Sequence, residues 1–311
     1  MKRYIYLPIL VLLFIACDDQ IEADLTEIDP IIVIDAWLDD TGSGQIISVK
    51  RSQQYFDSSP LEGVEDAVVT ITDDDGNTYP FTHTGRGEYL MVTGSETFAE
   101  IERVYNLSVV TPEGSFFSQS TMNRVPEIDS ITFRFEEEQA PFIPDSYFAE
   151  VWARDPEGTG DTYWIKTWKN GNILDEPGEI SIAYDAGFSA GGNVDGLIFI
   201  QPIRDSVNPF DTDRSESSEF DLLPPYLFGD SIYVEIHSIS NEAFFFFQRV
   251  QVESGRTGGF AELFATPLAN VPTNIISENE NTLVLGFFNV ASVTGLGRTL
   301  VDESDVREVP E

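Results

Sequence analysis

The sequence predicts a mainly β protein, with an N-terminal immunoglobulin-like β-sandwich followed by a β-rich C-terminal domain that carries one helix. Three observations predict it. Short runs of alternating apolar and polar residues, each bounded by turn residues, follow one another from Ile31 onward. Asp75-Gly76 and Asn170-Gly171 sit between such runs, where a tight hairpin needs positive φ. One window only, residues 241–254, carries helical spacing with end signals on both sides.

The elements follow in chain order. Lys2 and Arg3 precede an apolar stretch over residues 4–16, well short of the ~20 residues that span a bilayer, so residues 1–16 read as a signal peptide. Ala16 before Cys17, the chain's single cysteine, resembles a bacterial lipobox with Phe14 where leucine is commonest. Cleavage there leaves Cys17 as the site of lipidation. Each buried CH₂ of an acyl chain contributes about 0.8 kcal/mol, so a multiply acylated cysteine anchors a protein without any spanning helix. Asp18 and Asp19 resemble the acidic export signal that sends Bacteroidetes lipoproteins to the outer face of the outer membrane; the plainer reading is an acidic tether. Residues 17–30 form that tether.

Residues 31–125 hold about seven short strands, which implies the immunoglobulin-like sandwich. They include IIVIDAW, QIISVK, AVVTIT paired through DDDGNTYPF, GEYLMV, VYNLSVV and SFFSQSTM, with Thr111-Pro112-Glu113-Gly114 suited to a type I turn. A domain boundary is expected at residues 124–127, and residues 126–311 form the second domain. Its strands are IDSITFRF, SYFAEVWA, TYWIKTW, EISIAY and SIYVEIHSI, with one long strand region over residues 281–293. The polar stretch 205–225 reads as an extended loop. Asn241 caps the expected helix, Ala243, Phe246, Phe247 and Val250 fall on one face, and Gly255 stops it; a buried tetra-Phe strand is the alternative.

Composition limits the function. The 311 residues hold 54 Asp and Glu against 17 Lys and Arg, for a formal charge of −37. Without a basic cluster to displace counterions from phosphates, no nucleic-acid partner is expected. One cysteine excludes a disulfide scaffold and structural thiolate zinc sites. The two histidines, His83 and His237, fall in separate strands, and no G-x-S-x-G, H-E-x-x-H or P-loop is present, so a non-enzymatic role is expected.

Two groups of residues stand out as candidates. Asp155, Glu157 and Asp161 lie in the loop DPEGTGD, where clustered hard oxygens would suit calcium; the spacing is not that of an EF-hand, and a solvated turn is the other reading. No other cofactor is expected beyond the lipid on Cys17. Trp164, Lys166 and Trp168 share one face of an extended strand, placing a cation between two indoles. They form either a ligand-binding platform or the edge of a core with Lys166 reaching out to water.

SIYVEIHSISNEAFFFFQRVQVES, GGFAELFATPLANVPTNI and LVLGFFNVASV, with the Cys17-Asp18-Asp19 start, IIVIDAWL and DAVVTITDDDGNTYPF, resemble the Bacteroidetes lipoprotein family called domain of unknown function 4249. The resemblance covers nearly all of the mature chain and rests on structural motifs. Residues 278–281, Glu-Asn-Glu-Asn, stand where the family pattern has a glycine-bearing turn. The resemblance implies a surface-exposed outer-membrane lipoprotein that is the accessory or substrate-binding partner of a TonB-dependent transporter. A structural or adhesion component of an envelope complex is the alternative.

Overall fold

The computed structural model describes residues 29–307, apart from 43, 55, 56, 58, 92–97, 138–143, 211–222 and 257–268. Strand alternation builds the first layer pair. In β1 (Ile32–Asp39) residues 32, 34, 36 and 38 are buried and their neighbours are not, the period-two signature of a strand with one face on a core. It continues through β2 (Gln45–Arg51), β3 (Val68–Asp73), β4 (Thr78–Gly85), β5 (Glu88–Met91), β6 (Val104–Thr111) and β7 (Gly114–Thr121). These strands form one continuous path, and β4 passes between its two layers. Thr78 to Phe81 pair with β3, whereas Thr82 to Gly85 pair with β5 across a bulge. A strand that changes sheets in this way turns the corner of a sandwich. Ile34, Ile47, Val49, Ile71, Leu107 and Phe116 fill the space between the layers.

This sheet is not completed within residues 31–125. Two strands from far down the chain join its ends: β14 (Ile276–Ser277) pairs with β7, and β15 (Val284–Ala291) pairs in parallel with β1 from Ile32↔Val284 to Asp39↔Ala291. At Gly286, φ is +106°, and a Cβ would stand 1.8 Å from the Ile34 carbonyl oxygen, so only glycine lets the two backbones approach.

The second layer pair comprises a sheet of β10 (Thr162–Lys169), β11 (Asn172–Ile173), β12 (Ser181–Tyr184), β13 (Ser231–Ile239) and β16 (Val293–Thr299). Against it lies a sheet of β8 (Ile128–Glu136), β9 (Ser146–Ala153) and β17 (Val306–Arg307). Phe133, Val151, Tyr163, Val234, Ile236 and Tyr226 pack between them. Residues 124–127, the expected boundary, lie outside any strand between β7 and β8.

Beside this core, Glu150 is fully buried and meets three arginines: Arg134, Arg204 and Arg307 approach its oxygens at 3.5, 3.3 and 2.7 Å. The guanidinium groups of Arg204 and Arg307 also lie over the Trp152 ring. This cluster fastens β17 and the short helix α1 (Gln201–Asp205) to the three-stranded sheet. The helix ends at Asp205, where the loop expected over 205–225 begins, and Asn208 ties that loop to the backbone of Ala149. Residues 211–222 of that loop lie outside the described residues.

A third apolar cluster joins the two layer pairs. Helix α2 (Asn241–Ser254) buries Ala243, Phe244 and Phe247 against Ile182, Ile239 and Phe287, with Trp37 and Trp164 packed around them. Its cap is Ser240, whose Oγ accepts from the Ala243 N–H; Asn241, the expected cap, is the first helical residue. Phe244 replaces Val250 on the buried face because the helix is held between β12 and the aromatic pair Trp37 and Phe287, not on one flat surface. The strand region expected over 281–293 holds β15, and β16 begins at its last residue. Ser292 separates them, donating its N–H to Ser238 and its hydroxyl to Asp40, so the chain leaves one sheet and enters the other.

Candidate functional site

The face of β10 that carries Trp164, Lys166 and Trp168 is extended by β13 and β16. Registry sets Trp168 beside Tyr233, Lys166 beside Glu235 and Trp164 beside His237. On the far side of β13, Tyr233 lies next to Gly297 and Glu235 next to Gly295. A Cβ at Gly295 would stand 2.4 Å from the Tyr233 hydroxyl oxygen, so the bare strand lets the phenol ring lie flat across it. The result is an open shelf. Trp168 and Tyr233 stand 5.6 Å apart at ring centres, and Tyr233 is 42% exposed, as is the neighbouring Ile173 at 43%.

The two indoles have different surroundings. Trp164 is packed edge-on to Trp37 at 5.6 Å and against Phe247 at 4.5 Å, inside the aromatic cluster that joins the layer pairs. The Lys166 ammonium sits 4.1 Å from the centre of the Trp164 ring, where burial lowers its pKa while Glu235, Asp39 and Asp35 oppose the shift. Lys166 thus pairs with one indole and leaves Trp168 facing outward beside Tyr233.

A polar line runs along β13. Tyr233 hydrogen-bonds to Glu235, and Glu235 lies 2.9 Å from Nε2 of His237. The bond from His237 holds Glu235 below its ordinary pKa. Burial pushes His237 below 6.5 despite the carboxylate, so at neutral pH the uncharged ring donates from Nε2. The shelf therefore offers aromatic surface, a carboxylate and a cation on two adjacent strands, the charged pair one cross-strand step from the aromatic pair. Such a set can stack on a flat ligand face and hydrogen-bond its rim.

The acidic loop has a different composition from the one its spacing predicts. Carboxylates of Asp155, Asp161 and Asp185 converge, with one oxygen of each within 4.8 Å of the others, and Glu157 is not among them. Asp185 is brought in because β12 pairs with β10 at Tyr184↔Thr162. Sequence reading missed it, since only that pairing places it beside Asp161. Donors already meet these groups. Asp155 accepts from the Tyr163 hydroxyl at 2.6 Å and the Gly196 N–H at 3.1 Å. Asp185 accepts from the N–H groups of Gly160 and Asp161. Arg124 reaches Asp161 through Nη2 at 2.6 Å and donates to the Gly158 carbonyl at 2.9 Å. Burial raises the Asp155 pKa, and the charges of Asp161 and Asp185 add to the rise. Calcium asks for about six to eight oxygen ligands free of other donors. This donor set suits a guanidinium-braced turn better.

Cys17, Asp18 and Asp19 lie outside the described residues. Among the described residues, no helix is long and apolar enough to cross a membrane. A family model described as "Domain of unknown function (DUF4249)" matches residues 18–296. The chain belongs to that family. The match takes in the first layer pair, the joining helix and the second layer pair up to the middle of β16, leaving β17 beyond it. No curated protein matches the chain.

Proposed function

We propose that this DUF4249 protein is a lipid-anchored subunit on the outer face of a Bacteroidetes outer membrane, where it serves a TonB-dependent transporter as accessory or substrate-binding partner. The observation that carries the binding part is the shelf of Trp168 beside Tyr233, whose ring lies over Gly295 and Gly297. Large aromatic side chains left outward on a rigid sheet contribute contact area at low entropic cost. The leader ending at Cys17, followed by Asp18 and Asp19, supports the anchor and its outward placement. Binding rather than turnover is favoured because His237 spends Nε2 on Glu235 and packs its ring against Trp164.

A structural or envelope-assembly role is the second reading. The aromatic cluster that joins the layer pairs favours it, since a stiff body suits a scaffold. Mild-detergent extraction of the C-terminally tagged protein from its native membrane, followed by mass spectrometry of what co-purifies, separates the two. A stoichiometric TonB-dependent transporter is expected. Recovery with assembly or adhesion components alone would overturn the transporter reading.

A further inference from the structure

We infer that the Trp168–Tyr233 shelf takes a neutral oligosaccharide, one pyranose unit stacked on each ring, a ligand class that rests on the proposed binding role of that shelf. The build of β16 points to it. Residues 295 and 297 are exposed on the outward face of this strand, where the sheet itself would accept almost any side chain, and both are glycine. Glycine inside a strand costs conformational entropy and packs nothing. What the two glycines spare is Tyr233. A Cβ at Gly295 would stand 2.4 Å from its hydroxyl oxygen, and one at Gly297 would stand 3.3 Å from its Cδ2. The phenol ring therefore lies on bare backbone and turns its other face to solvent, with 42% of the residue exposed. Trp168 follows at 5.6 Å between ring centres, about the length of one pyranose unit, so neighbouring sugars of a chain can meet one ring each. Ile173, paired with Trp168 across β11, extends the apolar strip.

The polar groups around the rings select among flat-faced ligands. A pyranose unit presents a face of polarised C–H groups, which suits the negative face of an aromatic ring, and a rim of hydroxyls, which need acceptors at the edge of the stack. Glu235 supplies such an acceptor. It lies two residues from Tyr233 on the same face of β13, and the bond from His237 keeps it ionised. A flat aromatic ligand would cover that carboxylate without replacing its water, at a cost in free energy. An acidic sugar or another anion would be repelled by Glu235 on a chain of formal charge −37. Lys166 does not offset that repulsion, because its ammonium is turned to the Trp164 ring at 4.1 Å. Both stacking rings stand on strands, so little ordering entropy is lost when a ligand settles on them.

The test is isothermal titration calorimetry on the mature protein in a sugar-free detergent at physiological salt. Cellohexaose, laminarihexaose and maltohexaose serve as neutral probes, hexagalacturonate as the acidic one and 2-naphthol as a flat aromatic. Saturable binding of at least one neutral hexasaccharide is expected, with none of hexagalacturonate. Trp168→Ala and Tyr233→Ala should each weaken binding by about tenfold, the worth of one stacked ring. Gly295→Ala removes no contacting group, yet its Cβ pushes the Tyr233 hydroxyl off β16, so it should weaken binding while the fold is kept, since the far end of a tyrosine can swing aside. Phe188→Ala, at an exposed ring outside the shelf, should bind as the parent does. The inference is overturned if no neutral hexasaccharide binds saturably, if hexagalacturonate binds as well as they do, or if 2-naphthol alone binds. It is also overturned if a Trp168→Ala/Tyr233→Ala double variant keeps the parent's affinity for the hexasaccharide. A TonB-dependent transporter that co-purifies with the parent protein despite any of these results leaves the partner reading in place, so the two failures are told apart.

Discussion

Asp73 shows how one carboxylate can make a hairpin pH-sensitive. Burial works against its charge, yet bonds from the Asn77 N–H and amide, the Tyr79 hydroxyl and Arg103 hold its pKa down to about 2. Between pH 4 and 2 the unfolded chain binds the proton that the folded chain refuses, so stability falls as the medium is acidified through that window. Urea midpoints measured against pH should drop there, and Asp73→Asn should flatten that part of the curve; parallel curves would contradict the assignment. His237 acts at higher pH with the same sign. Its pKa lies below 6.5 in the fold, facing Glu235, Lys166 and the Trp164 ring, so stability declines as pH falls below about 6.5. His237→Gln should remove that decline. Glu150 is a matter of charge balance. Removing it leaves Arg204 and Arg307 without their carboxylate, whereas Arg134 keeps Asp205 and Glu136, and Glu150→Ala should cost about 3–5 kcal/mol in equilibrium unfolding; a loss under 1 kcal/mol would mean the cluster is solvated. From the sequence, alternation alone aligned Trp164, Lys166 and Trp168. It could not separate the fates of the two indoles, because Trp37 and Phe247, which enclose Trp164, come from other parts of the chain.

Among the elements, those defined by local chemistry were legible. The hairpin at Asp75-Gly76, the turn at Asn170-Gly171 and the helix over 241–254 follow from residues next to one another, and the structure has each of them. β15 was not legible in its role. Both its faces are buried, with Phe288 in the first core and Phe287 in the joining cluster, so it reads as an apolar run that names no partner. Gly286 is its one local mark. Gly286→Ala combines a positive φ with a collision at the Ile34 carbonyl, and should destabilise the protein by about 3 kcal/mol or more. Denaturant titration checks this; a variant within 1 kcal/mol of the parent would show that β1 and β15 can separate at little cost.

At the scale of the whole molecule, the chain's ends are woven together. β1 needs β15, and β16 follows β15 after one residue into the second layer pair, so the two halves share a boundary strand and an aromatic cluster. That coupling presents the Trp168–Tyr233 shelf on a rigid body. Net charge of −37 adds a long-range preference for cationic surfaces, screened over ~8 Å at physiological salt. The most direct measurement of the binding role is a quantitative co-purification from native membranes, comparing the parent protein with a Trp168→Ala/Tyr233→Ala double variant of equal expression and unchanged unfolding midpoint. Retention of the parent with a TonB-dependent transporter, and loss of the transporter or of its substrate uptake in the double variant, is the predicted result. Equal recovery and equal uptake with both proteins would contradict it.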